Sequence, residues 1–260
     1  MKTIYVMLKN KFNLKGKNAL VTGSSQGIGK AIALALAEYG ARIILHYRGD
    51  KTDAEKVARQ IKKYGNGVNI LQADFSRPKA VAGLYKKVSA LVDHLDILVI
   101  NASLQLPVDW LEISAKEIDL QVTTNFRATL QMMQRFAPAM IEKQWGRIVT
   151  IGSVQQERPH PLMAVYAATK SASLNLVQNI ASQLAGKGVT VNNLAPGVID
   201  TPRIKEELPP IDEKLLKKMD IPMDRTGMPE ECATVALLLC SDAGSYITGQ
   251  NIYVDGGMSL

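Results

Sequence analysis

The chain has 260 residues, of which 47% are hydrophobic and 21% are charged. A chain of this length buries about three quarters of the surface that its unfolded form exposes, enough for one α/β domain. The net charge of +7 comes from lysines and arginines spread over many segments. Without a cluster of basic and aromatic residues, this charge does not indicate a nucleic-acid-binding protein. No apolar run reaches the length of a membrane span.

The chain begins with a basic extension, residues 1–13. Its apolar run, Ile4 to Leu8, is too short for the core of a signal peptide, and no small-residue cleavage site follows it. We expect the extension to be a disordered or edge-packing tail, and residues 14–260 to form a single domain. Without a targeting or membrane segment, we expect a cytoplasmic protein.

A short apolar strand, Asn18 to Thr22, is followed by a glycine-rich turn, Gly23 to Gly29, and an alanine-rich helix, Lys30 to Glu38. Glycines permit a tight turn and let the backbone approach a pyrophosphate, whose charge the first amides of a helix stabilise. The order of strand, turn and helix therefore predicts a dinucleotide phosphate loop. Its spacing, G-x-x-x-G-x-G, departs from the general G-x-G-x-x-G fingerprint.

Further strand-like runs alternate with helical stretches along the rest of the chain. This alternation favours an α/β fold, a Rossmann-type doubly wound parallel sheet with helices on both faces. Such sheets bind ligands outside the carboxyl ends of their strands. The other predicted strands are Arg42 to His46, Val68 to Leu71, Asp96 to Ile100, Arg147 to Ile151, Val189 to Asn193 and Asn251 to Val254.

The residues after the second predicted strand bear on which dinucleotide binds. An acidic side chain there accepts hydrogen bonds from the ribose 2′-hydroxyl of NAD, whereas an arginine accommodates the 2′-phosphate of NADP. The acidic position holds Tyr47, and Arg48 follows it. NADP(H) is therefore favoured, while NAD(H) stays possible because Asp50 is close by. A solvated charge at the entry of a helix is the other interpretation of Arg48.

Two residues of one predicted helix, Tyr166 and Lys170, carry groups suited to proton transfer. Residues four apart share a helix face, about 6 Å from each other, and a positive charge near a phenol lowers its pKa from about 10. Tyr166 would then exchange a proton with a substrate oxygen. Ser153 ends a buried strand thirteen residues earlier, so its hydroxyl would point into the ligand crevice. Alone, the pattern Y-x-x-x-K also fits a core tyrosine beside a solvated lysine.

The cysteines and histidines do not indicate a metal site. Cys232 and Cys240 lie eight residues apart on one predicted helix, a separation of about 12 Å that a disulfide does not span. We expect both to be core thiols in a reducing compartment. His46, His94 and His160 are dispersed and lack the spacing of a metal motif.

Over roughly residues 14–258, the chain resembles the short-chain dehydrogenase/reductase family, including its 3-oxoacyl-carrier-protein-reductase-like and its sugar- and polyol-dehydrogenase-like members. Thr22 to Gly29 matches the family's T-G-x-x-x-G-I-G, and Tyr166 with Lys170 matches its Y-x-x-x-K. Further matches, in family order, are Asp74 after Leu71-Gln72-Ala73, Asn101-Ala102 for most of N-A-G, Asn125 in the helix before Ser153, Pro196 to Thr201 for P-G-x-x-x-T, and Tyr253 to Gly257 for the last strand and turn.

The resemblance implies an NADP(H)-dependent oxidoreductase that reduces a carbonyl, or oxidises the corresponding secondary alcohol, by hydride transfer. Tyr166 would be the general acid/base, and Ser153 would hold and polarise the carbonyl oxygen. Lys170 would lower the tyrosine pKa and bind the nicotinamide ribose, and Asn125 would anchor a water in the proton path. The implied cofactor-binding residues are Gly23, Ser24, Ser25, Gly27, Ile28, Gly29, Tyr47, Arg48, Asp74, Phe75, Asn101, Ala102, Ser103, Tyr166, Lys170, Pro196, Gly197, Ile199 and Thr201.

The substrate remains open. The family forms its pocket from the segment after the catalytic serine, here 154–165, and from a loop after the sixth strand, here about 198–226. Gln155 and His160 make the first segment polar, which favours a hydroxylated or anionic small molecule over a steroid; the same side chains also fit a loop that faces water. The resemblance further implies a homotetramer, with neither a nucleic-acid nor a membrane partner.

Two other functions remain open. Ser103 stands where most relatives have glycine, and together with His46-Tyr47-Arg48 it is similar to the pteridine-reducing branch of the family, which would reduce a ring C=N bond. The ordinary phosphate loop argues against this branch, as does Ser153, where that branch often carries an acidic residue. A non-catalytic member that binds NADP as a sensor is the second alternative, and the complete set of catalytic residues argues against it.

Overall fold

The structure, a computed structural model, describes residues 8–205 and 220–260. Its strands form one parallel sheet in the order β3-β2-β1-β4-β5-β6-β7, which confirms the predicted Rossmann-type α/β fold and every predicted strand. The strands are β1 (Asn18–Val21), β2 (Arg42–Tyr47), β3 (Val68–Gln72), β4 (Ile97–Ile100), β5 (Gly146–Ile151), β6 (Val189–Pro196) and β7 (Asn251–Val254).

Helices cover both faces of the sheet. They are α1 (Gly27–Glu38), α2 (Lys51–Lys62), α3 (Ala80–Ser89), α4 (Ala115–Gln121), α5 (Ala128–Glu142), α6 (Ala164–Leu184) and α7 (Pro229–Cys240). A π-helical turn, Val122–Arg127, joins α4 to α5, and 3-10 turns follow β5 and β6 at Val154–Gln156 and Pro202–Lys205. In the parts of the chain that the structure describes, no helix is both long and apolar enough to cross a membrane.

Each strand sends its side chains alternately into two apolar layers. In β1, Ala19 and Val21 face the layer formed with α1, α2 and α7, whereas Leu20 faces the layer formed with α3, α5 and α6. All three side chains are fully buried. Because both faces of the sheet are covered, the strands are continuous apolar runs, and this explains why the sequence predicted them well.

The strand order reverses at β1, which pairs with β2 on one side and with β4 on the other. The connections that follow β1 and β4 lead to opposite faces, so a crevice opens at the carboxyl ends of these two strands. The glycine turn and Asn101 therefore lie side by side at one edge of the sheet.

The limits of the domain stay a prediction. Phe12 packs on Tyr39, with ring centroids 6.1 Å apart, and Leu14 is buried, while residues 1–7 of the proposed extension lie outside the described residues. The same holds for residues 206–219 of the predicted substrate loop at about 198–226, including Leu208 to Pro210.

Candidate active site

A cavity of about 890 Å³ opens at the carboxyl ends of the strands, where the strand order reverses. This volume lies within the range of small-molecule and cofactor pockets. The glycine turn, the residues after β2 to β6 and the first turns of α6 line it. Of the predicted catalytic, cofactor and substrate residues, Ser24, Gly29 and Asn125 do not line the cavity, and all the others do.

The glycine turn packs tightly against the end of β4. Asn101 Nδ2 donates to the carbonyl oxygens of Thr22 (3.0 Å) and Gly23 (2.9 Å). A Cβ atom at Gly29 would lie 2.5 Å from Asn101 Nδ2 and would overlap the Gly23 carbonyl oxygen, so only glycine fits. Gly27 has a φ of +53°, a backbone conformation that glycine adopts readily. Helix α1 therefore begins inside the turn, earlier than predicted, and its first amides lie at the cavity.

Ser24, a predicted cofactor-binding residue, is hydrogen-bonded to the sheet. Its hydroxyl donates to the Val21 carbonyl (2.8 Å) and accepts from the His46 amide (3.1 Å), and its own amide donates to the His46 carbonyl (3.0 Å). These groups are fully buried, and buried polar groups of this kind are satisfied within the protein. Ser24 therefore ties the turn to the sheet, and its contact with a cofactor stays a prediction.

His46 connects the glycine turn to the residues that follow β3. Its Nδ1 accepts from the Gly23 amide (3.0 Å), its Nε2 lies 3.0 Å from the Ala73 carbonyl oxygen, and its ring stacks on Phe75 at 4.5 Å. Since Nδ1 accepts, the hydrogen is assigned to Nε2. Burial lowers the pKa of His46 to about 4, so the neutral ring holds the turn at a set distance from the residues after β3.

The loop after β4 spans the middle of the cavity. The amides of Asn101 and Ala102 donate to Thr22 Oγ1 at 2.9 and 3.0 Å. Beyond them, Ser103 accepts two hydrogen bonds from Arg203: from Nη1 to its hydroxyl and from Nη2 to its carbonyl, both 3.1 Å. Arg203 belongs to the predicted substrate loop at about 198–226, and it reaches across the cavity from the 3-10 turn after β6.

At the other end of the cavity, Arg48 is exposed at the end of β2 and lines the wall beside Asp74. Partial burial of Asp74 works against ionisation, but hydrogen bonds from Ser76 and the charges of Arg48 and Arg77 lower the pKa of Asp74 below its usual value. This end therefore pairs an ionised carboxylate with an accessible guanidinium.

Ser153 and Tyr166 lie at the catalytic end of the cavity, and their side chains are 8% and 5% exposed. Ser153 Oγ accepts from the Gln155 amide at 3.2 Å, which leaves its hydroxyl hydrogen free to be donated to a ligand oxygen. Tyr166 lies in the first turn of α6. No hydrogen bond to its hydroxyl is found within the described part of the chain.

Lys170 lies on the same helix face as Tyr166, as the sequence predicted. Its Nζ is 5.5 Å from the centroid of the Tyr166 ring and donates to the carbonyl oxygen of Ile151 at 2.6 Å. Burial and, secondarily, the charge of Arg203 lower the pKa of the Lys170 amine to about 7. The anchor on the last residue of β5 keeps the amine beside the tyrosine ring.

Gln156 joins the elements that carry these residues. Its Nε2 donates to the Lys170 carbonyl (2.8 Å), and its Oε1 accepts from the amide of Ser153 (3.3 Å) and from Asn193 Nδ2 (3.2 Å). One side chain therefore connects the end of β5 with α6 and β6. The sequence carries a signal only for the contact between Gln156 and Ser153, because these two residues form the S-x-x-Q pattern of a capping box.

Asn125 lies in the π-helical turn, outside the cavity. Its Nδ2 donates to the Leu104 carbonyl (2.8 Å) and to Thr169 Oγ1 (3.1 Å), and its Oδ1 accepts from the Leu104 amide (2.8 Å). Its side-chain amide therefore ties the loop after β4 to α6, and the role of Asn125 in anchoring a water stays a prediction. A π-helical turn at this point is typical of functional sites.

Gln155 and His160 form a polar wall of the cavity. Gln155 Oε1 accepts from the His160 amide (2.6 Å), and His160 Nδ1 accepts from the Leu162 amide (3.2 Å). The ring hydrogen of His160 is therefore on Nε2 and can be donated to a ligand. Burial lowers the pKa of His160, so the ring is neutral near pH 7. With 6% of its surface exposed, His160 is not a loop residue that faces water.

Cys232 and Cys240 are buried free thiols in α7, and burial raises the pKa of each to about 12. In residues 8–205 and 220–260, no cluster of histidine, cysteine and carboxylate side chains could hold a metal ion. The cavity has a phenol, a hydroxyl and a buried amine at one end, with the glycine turn and an arginine toward the other.

The chain is similar to known reductases and dehydrogenases over nearly its whole length. A family model described as Enoyl-(Acyl carrier protein) reductase matches residues 23–259. The 3-oxoacyl-(acyl-carrier-protein) reductase of Staphylococcus aureus is 36% identical over 246 residues, covering 94% of this chain and 98% of that protein.

Two solved structures are similar in sequence and fold. A 3-oxoacyl (acyl-carrier-protein) reductase from Agrobacterium tumefaciens, with NADP bound, is 38% identical, with a TM-score of 0.87 over 96% of this chain and 97% of that chain. A putative NAD(P)-dependent gluconate 5-dehydrogenase from Beutenbergia cavernae, with NADP at low occupancy, is 34% identical, with a TM-score of 0.85 over 95% and 98%.

Proposed function

Because the chain belongs to the short-chain dehydrogenase/reductase family, we propose that it is an NADP(H)-dependent oxidoreductase that reduces a carbonyl or oxidises the corresponding secondary alcohol. One observation carries the proposal: Ser153, Tyr166 and Lys170 line the same cavity as the glycine turn. The reductase relative whose structure contains NADP supports both the cofactor and the type of reaction.

The residues present fit a dinucleotide. Gly27 and Ile28 bring the first amides of α1 to the cavity, where they stabilise the charge of a pyrophosphate. The missing side chain at Gly29 allows the turn to pack on Asn101, so that the backbone rather than a side chain faces the ligand. We assign the diphosphate to this turn.

We assign the 2′-phosphate of NADP to Arg48, which is exposed at the cavity wall. Asp50, the acidic residue that left NAD possible, caps α2 instead: its Oδ1 accepts from the amide and the hydroxyl of Thr52, both at 2.9 Å. A carboxylate engaged in a helix cap is less available to a ribose hydroxyl.

Arg48→Ala is expected to lower kcat/KM for NADPH by about tenfold to a hundredfold, because hydrogen bonds to a charged group are lost. The value for NADH should change little, so the ratio of the two kcat/KM values falls. Steady-state kinetics with both cofactors measure this ratio. Arg77→Ala is the matched control, since Arg77 also lies near Asp74 but does not line the cavity. An unchanged ratio in Arg48→Ala would refute the assignment.

The side chains at the catalytic end suit carbonyl reduction. Bound NADPH supplies the hydride. We propose that the Ser153 hydroxyl donates to the carbonyl oxygen and that Tyr166 gives this oxygen its proton as negative charge develops there. The Lys170 amine, held beside the ring by Ile151, stabilises the negative charge that Tyr166 acquires. Asn125 acts as a positioning residue through its hydrogen bond to Thr169.

The names of the relatives point to two substrate classes, 3-oxoacyl thioesters and sugar acids. We propose that Gln155 and His160 contact the substrate, since both line the cavity near Ser153 and His160 Nε2 has a hydrogen to donate. Polar donors of this kind suit a hydroxylated substrate better than an apolar one.

A panel of substrates tests the proposed function. NADPH oxidation is measured with keto sugars, keto acids, 3-oxoacyl thioesters, simple ketones and pterins, and turnover of at least one carbonyl class is expected. Turnover of pterins alone would instead establish the C=N-reducing alternative. Tight NADPH binding without turnover of any compound would reject the enzyme and favour a sensor.

We propose a homotetramer in which α4, α5 and α6 contribute to the contacts between subunits. The family resemblance and the prevalence of closed symmetry among soluble oligomers support this proposal. A cytoplasmic location remains a prediction. The free thiols of Cys232 and Cys240 support it, because thiols persist in reducing compartments.

A further inference from the structure

Arg203 reaches across the cavity and is hydrogen-bonded to Ser103 on the opposite wall. It belongs to the 3-10 turn after β6, whereas its partner Ser103 follows β4. Two nitrogens of the guanidinium contact Ser103, one at the hydroxyl and one at the carbonyl, both at 3.1 Å. A long, exposed side chain is thereby fixed in one orientation beside the catalytic residues.

The guanidinium retains binding capacity in this position. An arginine has more N–H groups than these two contacts use, and its planar fork matches a carboxylate. Within residues 8–205 and 220–260, no carboxylate forms an ion pair with Arg203. Its positive charge is therefore not neutralised by any described residue.

Charge is distributed unevenly along the cavity. Its described carboxylates, Asp50, Asp53 and Asp74, belong to the end formed after β2 and β3. The charged side chains that the structure describes at the catalytic end are Lys170 and Arg203, both cationic. Both side chains line the same cavity, and burial and, secondarily, the charge of Arg203 lower the pKa of the Lys170 amine. An anionic substrate would relieve this excess of positive charge.

Ser103 is the residue at which the chain departs from the N-A-G of most relatives. A glycine there would retain the backbone carbonyl for Arg203 Nη2 but would lack the hydroxyl that Nη1 contacts. The departure thus has a physical consequence, because the additional acceptor orients the guanidinium. The Ser103 hydroxyl can therefore influence a ligand through Arg203.

From this arrangement we propose that Arg203 binds the carboxylate of a hydroxylated oxo-acid or hydroxy-acid substrate, and that Ser103 is its positioning residue. The inference rests on the oxidoreductase function proposed above and specifies its substrate class. The carbonyl of the same molecule would lie at Tyr166 and Ser153, and its hydroxyl groups would face His160.

Pairs of substrates of equal chain length, one with a carboxylate and one with a neutral group in its place, test the proposal. Sugar acids such as D-gluconate are compared with the sugar alcohols of equal chain length, such as D-glucitol, with NADP⁺ as oxidant. Keto acids are compared in the same way with their methyl esters in the reductive direction. The wild-type enzyme is expected to favour the anionic member of a pair by about tenfold or more in kcat/KM.

In Arg203→Gln, KM for the acids should rise by about tenfold to a hundredfold, because a charge-assisted contact is lost. The kcat value, the kinetics of the neutral members and the Kd for NADPH should remain within about twofold to threefold. Arg203→Lys should retain part of the preference, since it keeps the charge but not the planar fork. Arg59→Gln, a change of an exposed arginine in α2, is the control.

Ser103→Ala should raise KM for the acids by a smaller factor than Arg203→Gln does, but by a larger factor than it raises KM for the neutral members, and Ser103→Thr should restore most of the loss. A merely structural role of Ser103 would affect both members of each pair equally.

Three results would overturn the proposal. In the first, Arg203→Gln raises KM for the acidic and the neutral member of a pair to the same extent. In the second, Arg203→Gln raises the Kd for NADPH, which would assign Arg203 to the cofactor. In the third, the wild-type enzyme has the higher kcat/KM for the neutral members. If the wild type binds NADPH but converts no member of any pair, the proposed function itself is rejected and the inference falls with it. A failure of the function is thus distinguished from a failure of the charge assignment.

Discussion

Tyr166→Phe is expected to lower kcat for carbonyl reduction by a factor of about 10²–10⁴, the usual contribution of a general acid. The substitution removes only the hydroxyl. The ring, which is 5% exposed, keeps its packing, and Lys170 keeps its anchor on Ile151. The remaining activity would come from the Ser153 hydroxyl and from the positioning of the bound reactants. Initial rates of NADPH oxidation with the best substrate of the panel measure the effect.

The Kd for NADPH, measured by fluorescence titration, should stay within about twofold in Tyr166→Phe, because the loss lies in the chemical step. Tyr64→Phe, a change in a tyrosine that is 46% exposed and does not line the cavity, should leave both quantities unchanged. If Tyr166→Phe retains most of its activity, the proton comes from another donor, and His160 would be the first candidate to examine.

Lys170→Met is expected to lower kcat/KM by about a hundredfold or more without lowering the stability of the protein in the absence of cofactor. The amine is buried, and among the residues that the structure describes it has a single hydrogen bond, to the Ile151 carbonyl. Burial of a charged amine disfavours the folded state. Methionine fills a similar volume without this charge, so activity and stability should change independently.

The pH dependence of stability identifies the amine. In the folded protein, burial and then the charge of Arg203 lower the Lys170 pKa from 10.5 to about 7. Between these two values the unfolded chain binds more protons than the folded one, so the contribution of Lys170 to the free energy of unfolding rises with pH across this window. Below a pH of about 7, the amine is charged in both states and its burial is most unfavourable.

Urea unfolding of the cofactor-free protein at several pH values between about 6 and 9 measures this dependence. In Lys170→Met, the rise in stability above a pH of about 7 should be smaller than in the wild type. Lys187→Met, which changes an exposed lysine in the turn after α6, should retain the wild-type dependence. An identical pH profile in wild type and Lys170→Met would show that the buried amine is not the group that titrates.

Much of the fold could be predicted from the sequence, because its determinants are local. The strands are apolar runs covered on both faces, and helix starts such as the glycine turn are marked by residue type. The same local rules placed Tyr166 and Lys170 on one helix face. They also brought Ser153 to the carboxyl end of β5, where a parallel sheet opens its crevice.

Other features of the site depend on contacts between residues distant in the chain. Ser24 carries a hydroxyl in the glycine turn, yet this hydroxyl is buried and hydrogen-bonded to Val21 and His46. Asn125 has the residue type of a catalytic group, yet its amide is engaged by Leu104 and Thr169. Residue type shows which hydrogen bonds a side chain can make, but packing decides which of them it makes.

The sequence by itself determined the parallel α/β sheet, the phosphate loop and the pair formed by Tyr166 and Lys170, because each depends on periodicity or on spacing within one element. Only the tertiary structure decided that Arg203 contacts Ser103, one hundred residues away in the chain, and that Gln156 joins three elements behind the catalytic residues. Such contacts form because the neighbouring parallel strands β4, β5 and β6 end at the same edge of the sheet. The spacing of residues along the chain does not show which strand ends are neighbours.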